Sequence, residues 1–233
     1  MQITEYSVFG LRSAIIELRA RGKPLTFRLF PMIHIGKPEF YREVGERLRE
    51  CDLVVAEGWD MPSSTGMAIM LAMRLTFQRA AWQLVHQDID YEALGIPTLW
   101  PDAQSSHSRR ERLDLLSFLD LVLMIPFYVV VMALGGRGWL LRNRFEINDN
   151  SEIRMRSRRM TEFAIHDRDA DLVSTLSQVY EERHDRREIV AVVYGAAHMP
   201  AVINALNARF GYRAVGAEWM TVFDEADLHR MVD

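Results

Sequence analysis

One segment of the sequence constrains the fold more than any other, because an apolar run in it ends on a histidine. The segment is IVAVVYGAAHMPAV, residues 189–202, in which five of the six residues before Gly195 are aliphatic. Such a run is typical of a strand buried on both faces, as in a parallel sheet. Small residues then precede His198, and Pro200 suits the first turn of a helix. Binding sites of open α/β sheets form beyond the carboxyl ends of strands, so we predict that His198 lies at one.

Two other segments follow the same plan. Residues 25–34, LTFRLFPMIH, end on His34 and are followed by Pro38, which opens a predicted helix. Residues 51–58, CDLVVAEG, place Glu57 at the end of a short apolar run. Because the carboxyl ends of parallel strands lie at the same edge of a sheet, we expect His34, Glu57 and His198 to gather at one point.

The order of the predicted elements indicates an α/β protein. Strands are predicted at residues 12–18, 25–34, 51–58, 188–194 and 212–223. Helices are predicted at residues 38–49, 65–87, 111–135, 149–183 and 200–209. We therefore expect a single domain, residues 1–233, with a central mixed sheet built from the N- and C-terminal thirds and flanked by helices. Residues 1–60 and 160–233 would form this core, with residues 61–159 inserted as a helical cap.

Composition excludes several classes of protein. Hydrophobic residues make up 49% of the chain and the formal net charge is −4, so the chain folds and has no overall attraction for nucleic acid. The basic run at residues 154–159 is interpreted as a solvated helix face. A lone Cys51 excludes an internal disulfide, and the first ten residues do not resemble a secretory signal. We expect a cytoplasmic protein.

The most apolar segment, residues 115–135, allows three interpretations. Asp120 is the one charged residue from 115 to 134, and Pro126 divides this stretch into pieces of roughly 16 and 12 Å as helices, well short of a ~30 Å hydrocarbon core. A single span would also separate His34 and Glu57 from His198. Burial in the core or in a homo-oligomer interface is favoured, followed by contact with a membrane surface, and a true span is the least favoured.

Two imidazoles and a carboxylate make a ligand set suited to a divalent transition metal with open positions for water. Such an ion would lower the pKa of its bound water and polarise a carbonyl group, as hydrolysis at neutral pH requires. The compact HExxH motif is absent, and each candidate taken singly has a structural alternative: a hydrogen-bonded histidine at a strand end or a salt-bridged carboxylate. The remaining histidines, His86, His107, His166, His184 and His229, are interpreted as surface residues, with His166 the first exception to consider.

Two blocks of the sequence resemble the TraB/PrgY/TIKI family, also called TraB/GumN. The block MIHIGKPEFYREVGERLRECDLVVAEG resembles the family's opening pattern, with His34, Tyr41 and Glu57 at its motif positions. The blocks HDRDADLVSTL and VVYGAAHMPAVINAL resemble its closing pattern, with Arg168, Gly195 and His198 at theirs. The resemblance covers roughly residues 25–60 and 160–215. It departs from the family at Pro31, where the family has glycine, and at Asp169, where asparagine is commoner.

The resemblance implies a metal-dependent hydrolase of the peptidase or amidase type, related in fold to erythromycin esterase-like and ChaN-like proteins. It implies His34, Glu57 and His198 as ligands of a divalent ion (Mn, Co or Zn) or as activators of water. Arg168 would hold Glu57 or stabilise an oxyanion, and Tyr41 would donate a hydrogen bond to the carbonyl of a peptide or small-molecule substrate.

Two alternatives stay open at the level of sequence. In the first, the protein is a metal-free, esterase-like hydrolase in which His34 acts as general base on a water molecule that Glu57 orients. In the second, it is a non-catalytic protein that binds a peptide or another ligand beneath the inserted segment. The resemblance allows this alternative because the family includes inhibitors of peptide pheromone signalling.

Overall fold

The computed structural model describes residues 1–58, 84–101, 125–131, 133–134, 147–148 and 162–224, together with Ala72 and Leu75. Several predictions therefore fall outside the described residues. These are most of the predicted helix at 65–87, the first parts of those at 111–135 and 149–183, most of the predicted cap, and the basic run at 154–159.

The α/β class predicted from the sequence is confirmed, and eight of the described strands form one mixed sheet. The ten described strands are β1 (Gln2–Ser7), β2 (Gly10–Arg19), β3 (Thr26–Met32), β4 (Ile35–Gly36), β5 (Leu53–Ala56), β6 (Val85–His86), β7 (Thr98–Leu99), β8 (Ile147–Asn148), β9 (Ile189–Gly195) and β10 (Arg213–Phe223). The described helices are α1 (Pro38–Leu48), α2 (Tyr91–Leu94), α3 (Glu162–Arg183) and α4 (Met199–Phe210), and Ala196–His198 form a 3-10 turn. Residues 125–131 are also helical.

The parallel half of the sheet has the order β7, β5, β9, β3. Its central strands β5 and β9 are buried along almost their whole length, which is why their sequences are continuous apolar runs rather than alternating ones. Met32 pairs with Gly195 and Ala56 pairs with Val193, so β3, β5 and β9 end at the same edge of the sheet.

The antiparallel half of the sheet is built on β2. This long strand pairs with β10 from Leu11 to Arg19. It also pairs with β3 at Ile16–Leu18 and with β1 at residues 10–13. Because a strand has two hydrogen-bonding edges, β1 and β3 share the edge of β2 that β10 leaves open.

Helices α1 and α4 begin and end within one residue of their predicted bounds. Proline stands in the first turn of both α1 and α4, where its missing N–H is not needed. Helix α1 buries one face, formed by Phe40, Tyr41, Val44 and Leu48. Helix α4 ends at Gly211, whose φ of 76° lies in the left-handed region that favours glycine.

Three differences from the sequence-based prediction bear on the site. The predicted helix at 65–87 is wrong at its end, because Val85 and His86 form β6 and pair with β4. Strand β1 was not predicted. The sheet is also not built from the two outer thirds alone, since β7 and β8 come from the middle of the chain and extend it.

The apolar segment at 115–135 is described only in its second half. There Tyr128 is buried, whereas Phe127 and Val130 are more than half exposed. Among the described residues, no helix has both the length and the apolar character needed to cross a membrane.

Candidate functional site

The three residues predicted to gather do lie together, around Gly195 at the end of β9. A Cβ atom built on Gly195 would lie 3.5 Å from His34 Nε2, 3.4 Å from Glu57 Oε2 and 3.5 Å from His198 Cδ2. All three side chains therefore face one point beside the glycine. Parallel pairing explains this, because His34, Glu57 and His198 follow the ends of β3, β5 and β9 within three residues.

The carboxylate of Glu57 is fixed by two donors. Arg168 Nη2 donates to Oε1 at 2.7 Å, and the backbone N–H of Gly195 donates to Oε2 at 2.8 Å. Burial of Glu57 favours its neutral form, but the charge of Arg168, together with the interactions with His34, His198 and the Gly195 N–H, outweighs it and lowers the pKa of Glu57. The site therefore holds a buried, ionised carboxylate at neutral pH.

His198 is held by a second carboxylate. Its Nδ1 lies 2.6 Å from Asp169 Oδ1, and only 6% of the residue is exposed. Its Nε2 faces Glu57 Oε1 at 3.9 Å, too far for a direct hydrogen bond. The contact with Asp169 makes Nδ1 the protonated nitrogen of the neutral ring, which leaves a lone pair on Nε2.

His34 is held on the other side of the site. Its Nδ1 lies 3.2 Å from Gln87 Oε1, and its ring is parallel to that of His86, with 6.2 Å between centroids and 9° between planes. Burial lowers the pKa of His34, which outweighs the opposite effect of the nearby Glu57 charge. The imidazole of His34 is therefore neutral at pH 7.

Tyr41 supports the backbone that carries His34. Its hydroxyl is buried and donates a hydrogen bond of 2.8 Å to the carbonyl of Ile33, the residue before His34. Burial raises the pKa of Tyr41. In this arrangement the phenol proton is directed at the backbone that carries His34 and not at the point beside Gly195.

Four neighbouring residues were missed by sequence reasoning: Asp169, His86, Gln87 and Tyr91. Asp169 was noted only as a departure from the family pattern, and His86 was interpreted as a surface residue. Burial raises the pKa of Tyr91, with the charge of Glu57 acting in the same direction, so its phenol also lies near the site. The signal in the sequence was the polar stretch HQDIDY, residues 86–91, which follows an apolar leucine and valine.

The two imidazoles and the carboxylate are ligands of a type that divalent metals bind. The distances between their ligand atoms, however, do not suit a single ion. Ligand atoms at about 2.1 Å from one ion lie roughly 3.0 to 3.4 Å from their neighbours, whereas His198 Nε2 and Glu57 Oε1 are 3.9 Å apart. Both oxygens of Glu57 already accept hydrogen bonds. Within the part of the chain that the structure describes, no group of three His, Cys, Asp or Glu side chains is placed to hold a metal ion.

Comparisons of the chain with protein-family models, with curated proteins and with solved structures find no match. The resemblance to the TraB family thus depends on the quoted motifs alone. What the fold and the geometry define is an α/β protein with a largely buried histidine and carboxylate cluster at the carboxyl edge of its sheet.

Proposed function

We propose that this protein is a hydrolase that cleaves an amide or ester bond in a peptide or small-molecule substrate. The observation that carries the proposal is the approach of His34, Glu57 and His198 to one point, each within 3.5 Å of the Cβ position of Gly195. A lone-pair nitrogen and an ionised carboxylate beside one another are the groups that remove a proton from water.

His198 is the general base in this proposal. Its Nδ1–H donates to Asp169, so its Nε2 accepts the proton of the attacking water and the resulting imidazolium lies against a carboxylate. This assigns the base to His198, while the metal-free alternative from the sequence assigned it to His34. The short contact with Asp169 favours His198, because the partner of His34 is the neutral amide of Gln87.

Glu57 orients the attacking water, and Arg168 balances the negative charge that develops in the reaction. A water molecule that donates to His198 Nε2 is also within hydrogen-bond reach of Glu57 Oε1, since these two atoms are 3.9 Å apart. Arg168 holds that carboxylate oxygen at 2.7 Å and brings a positive charge to the side of the site where an oxyanion would develop. His34 Nε2 offers a further acceptor for a substrate N–H or for the water.

The proposed reaction has two steps. Water adds to the carbonyl carbon while its proton moves to His198 Nε2, and the tetrahedral oxyanion is stabilised by Arg168. The bond from carbon to the leaving nitrogen or oxygen then breaks, and His198 returns the proton to the leaving group. The products are a carboxylic acid and an amine or alcohol.

Metal dependence is a second candidate, and one observation favours it. Both His34 and His198 have Nδ1 next to an oxygen acceptor and Nε2 on the inner side, which is the arrangement that orients histidine ligands of metals. His34, Glu57 and His198 would hold the ion, and Mn, Co or Zn would supply Lewis acidity. No step of the proposed reaction passes through a metal, because no group of three His, Cys, Asp or Glu side chains among the described residues is placed to hold an ion.

The experiment measures hydrolysis of para-nitrophenyl esters and aminoacyl para-nitroanilides by the purified protein, with its metal content determined in parallel. Asp169→Asn removes the anionic partner of His198, and we expect kcat to fall by about 100-fold or more with the fold retained. Asp185→Asn, at an exposed position, is the matched control. Equal rates for Asp169→Asn and the wild type would contradict the proposal. Loss of activity on chelation and recovery with manganese would favour the metal-dependent form.

We also propose a cytoplasmic location, supported by the single thiol of the chain. Cys51 is free and buried, and burial raises its pKa to about 11, so it is an unreactive thiol of the kind tolerated in a reducing compartment. Contact with a membrane surface or a second copy through residues 115–135 is a further proposal, supported by exposed Phe127 and Val130, which lie one helical turn apart. Vesicle flotation and sedimentation of the purified protein distinguish the two.

A further inference from the structure

We propose that Gln87 is a positioning residue that holds the His34 ring with its Nε2 lone pair directed at Glu57 and Gly195. No motif of the sequence assigns a role to Gln87, which lies in the segment that resembles no known family. The inference concerns the orientation and tautomer of His34, and only its consequence for the reaction rate rests on the proposed function.

The backbone places Gln87 beside His34 with little freedom. Strand β6 pairs with β4, so Ile35 faces His86 and Gly36 faces Val85. The pairing continues in one more hydrogen bond, from the N–H of Gln87 to the carbonyl of His34 at 2.9 Å. His34 and Gln87 are thus joined through their main chains, and a side chain leaving Gln87 on that side meets the imidazole.

The side-chain contact selects one nitrogen of His34. Gln87 Oε1 lies 3.2 Å from His34 Nδ1, and an amide oxygen only accepts hydrogen bonds. The proton of the neutral ring is therefore on Nδ1, which leaves the lone pair on Nε2, the atom 3.5 Å from the Cβ position of Gly195. Without this acceptor, the ring is free to carry its proton on Nε2 and to present N–H to the site instead.

Two further residues lie beside the pair. The His86 ring is parallel to the His34 ring at a centroid distance of 6.2 Å. The Tyr91 phenol forms a hydrogen bond with the Gln87 side chain. Gln87 therefore has a second side-chain partner besides His34, which supports its role as a positioning residue.

The test reads the tautomer directly and needs no substrate. The full-length protein is labelled with ¹⁵N-histidine, and two-bond ¹H–¹⁵N correlations are recorded at pH 8.5, where imidazoles are neutral. The His34 signals are assigned by their loss in His34→Gln. We expect a protonated Nδ1 in the wild type, a shift of the proton towards Nε2 in Gln87→Met, and return to protonated Nδ1 in Gln87→Glu, which restores an acceptor. Gln178→Met, at an exposed position of α3, controls for the substitution itself.

The outcomes separate this inference from the proposed function. A wild-type His34 that carries its proton on Nε2, or a Gln87→Met variant with an unchanged tautomer, overturns the role of Gln87. Hydrolysis of para-nitrophenyl acetate should fall by about 10- to 100-fold in Gln87→Met and recover in Gln87→Glu. If the tautomer changes as expected and the rate does not, Gln87 positions His34 as inferred, and the participation of His34 in hydrolysis is wrong.

Discussion

Substitution of Gly195 by alanine tests whether chemistry occurs at the point that three side chains face. The backbone of Gly195 has φ −48° and ψ 136°, an extended conformation that alanine adopts without strain. The added methyl carbon would lie 3.4 to 3.5 Å from Glu57, His34 and His198, which is ordinary van der Waals contact. The structure therefore accommodates the methyl group without displacing any of its neighbours.

The two consequences of this substitution have opposite directions. Replacing glycine in a compatible conformation stabilises a fold by about 0.4 to 1 kcal/mol through the unfolded chain. For a chain of this size that corresponds to a rise in Tm of roughly 1 to 4 °C. The methyl group also occupies the space between the base, the carboxylate and His34, so a reacting atom is displaced by about 1 Å, which costs on the order of 100-fold in rate.

The assay combines calorimetry with kcat/KM for a para-nitrophenyl ester, and Gly216→Ala is the matched control. Gly216 lies on exposed β10, and a Cβ atom there meets no atom within 4 Å. We expect Gly195→Ala to keep or raise Tm and to lose activity, and Gly216→Ala to change neither by much. Full activity in Gly195→Ala would refute the position of the reaction, and a large fall in its Tm would refute the geometry around Gly195.

Two further predictions concern stability. Because the pKa of His34 is lowered from 6.5, the unfolded chain binds the proton more readily, so the free energy of unfolding falls as the pH drops below about 6.5. Urea unfolding at pH 7.5 and 5.5 should show a smaller fall in His34→Gln, and an equal fall would contradict the buried neutral imidazole. Gly36→Ala would place a Cβ atom 2.8 Å from Val222 Cγ1, so we expect a loss of about 1 to 3 kcal/mol by calorimetry. Gly45→Ala, where a Cβ atom meets nothing within 4 Å, should not lose stability, and equal Tm values for the two variants would count against the packing of β4 on β10.

The meeting of His34, Glu57 and His198 could be predicted from sequence because it depends on one property of parallel sheets. Each residue follows an apolar run, and all parallel strands of a sheet end at the same edge, whatever their order. The inference needed neither the strand order nor the residues between the two outer thirds. The long strands and the proline-led helices could be predicted for a similar reason, since their patterns extend over many residues.

The surroundings of the histidines could not be predicted, because they depend on short elements. Strand β6 has two residues, too few for any periodicity, and it exists because β4 offers it a partner. The proposed role of Gln87 depends on that pairing, which brings its side chain to His34. The sequence shows that Asp169 is next to Arg168. Only the packing of α3 shows that Arg168 contacts Glu57 and that Asp169 contacts His198.

The burial of the outer strands could not be predicted either, for a different reason. The residues of β10 alternate in polarity, yet positions 213–219 are exposed on both faces, with Val215 59% exposed. In β1, which was missed, Thr4 is fully buried because its hydroxyl accepts a hydrogen bond from the N–H of Ile147 on β8. When the hydrogen-bond partner of a buried polar residue lies on a strand distant in sequence, the local polarity pattern does not indicate that the residue is buried.

Pro31 stands where the TraB family pattern has glycine, and the sheet accommodates the proline. Proline has no N–H to donate to a neighbouring strand, but the pairing of β3 with β2 covers Phe27–Leu29 and ends before Pro31. The carbonyl of Pro31 instead accepts a hydrogen bond of 2.6 Å from the Ser13 hydroxyl. Pairing with β9 continues through Pro31 to Met32 and Gly195, so His34 keeps its place beside Gly195. Glycine at position 31 is therefore not a requirement for bringing His34 to the site, because the register of β3 on β9 determines where that histidine lies.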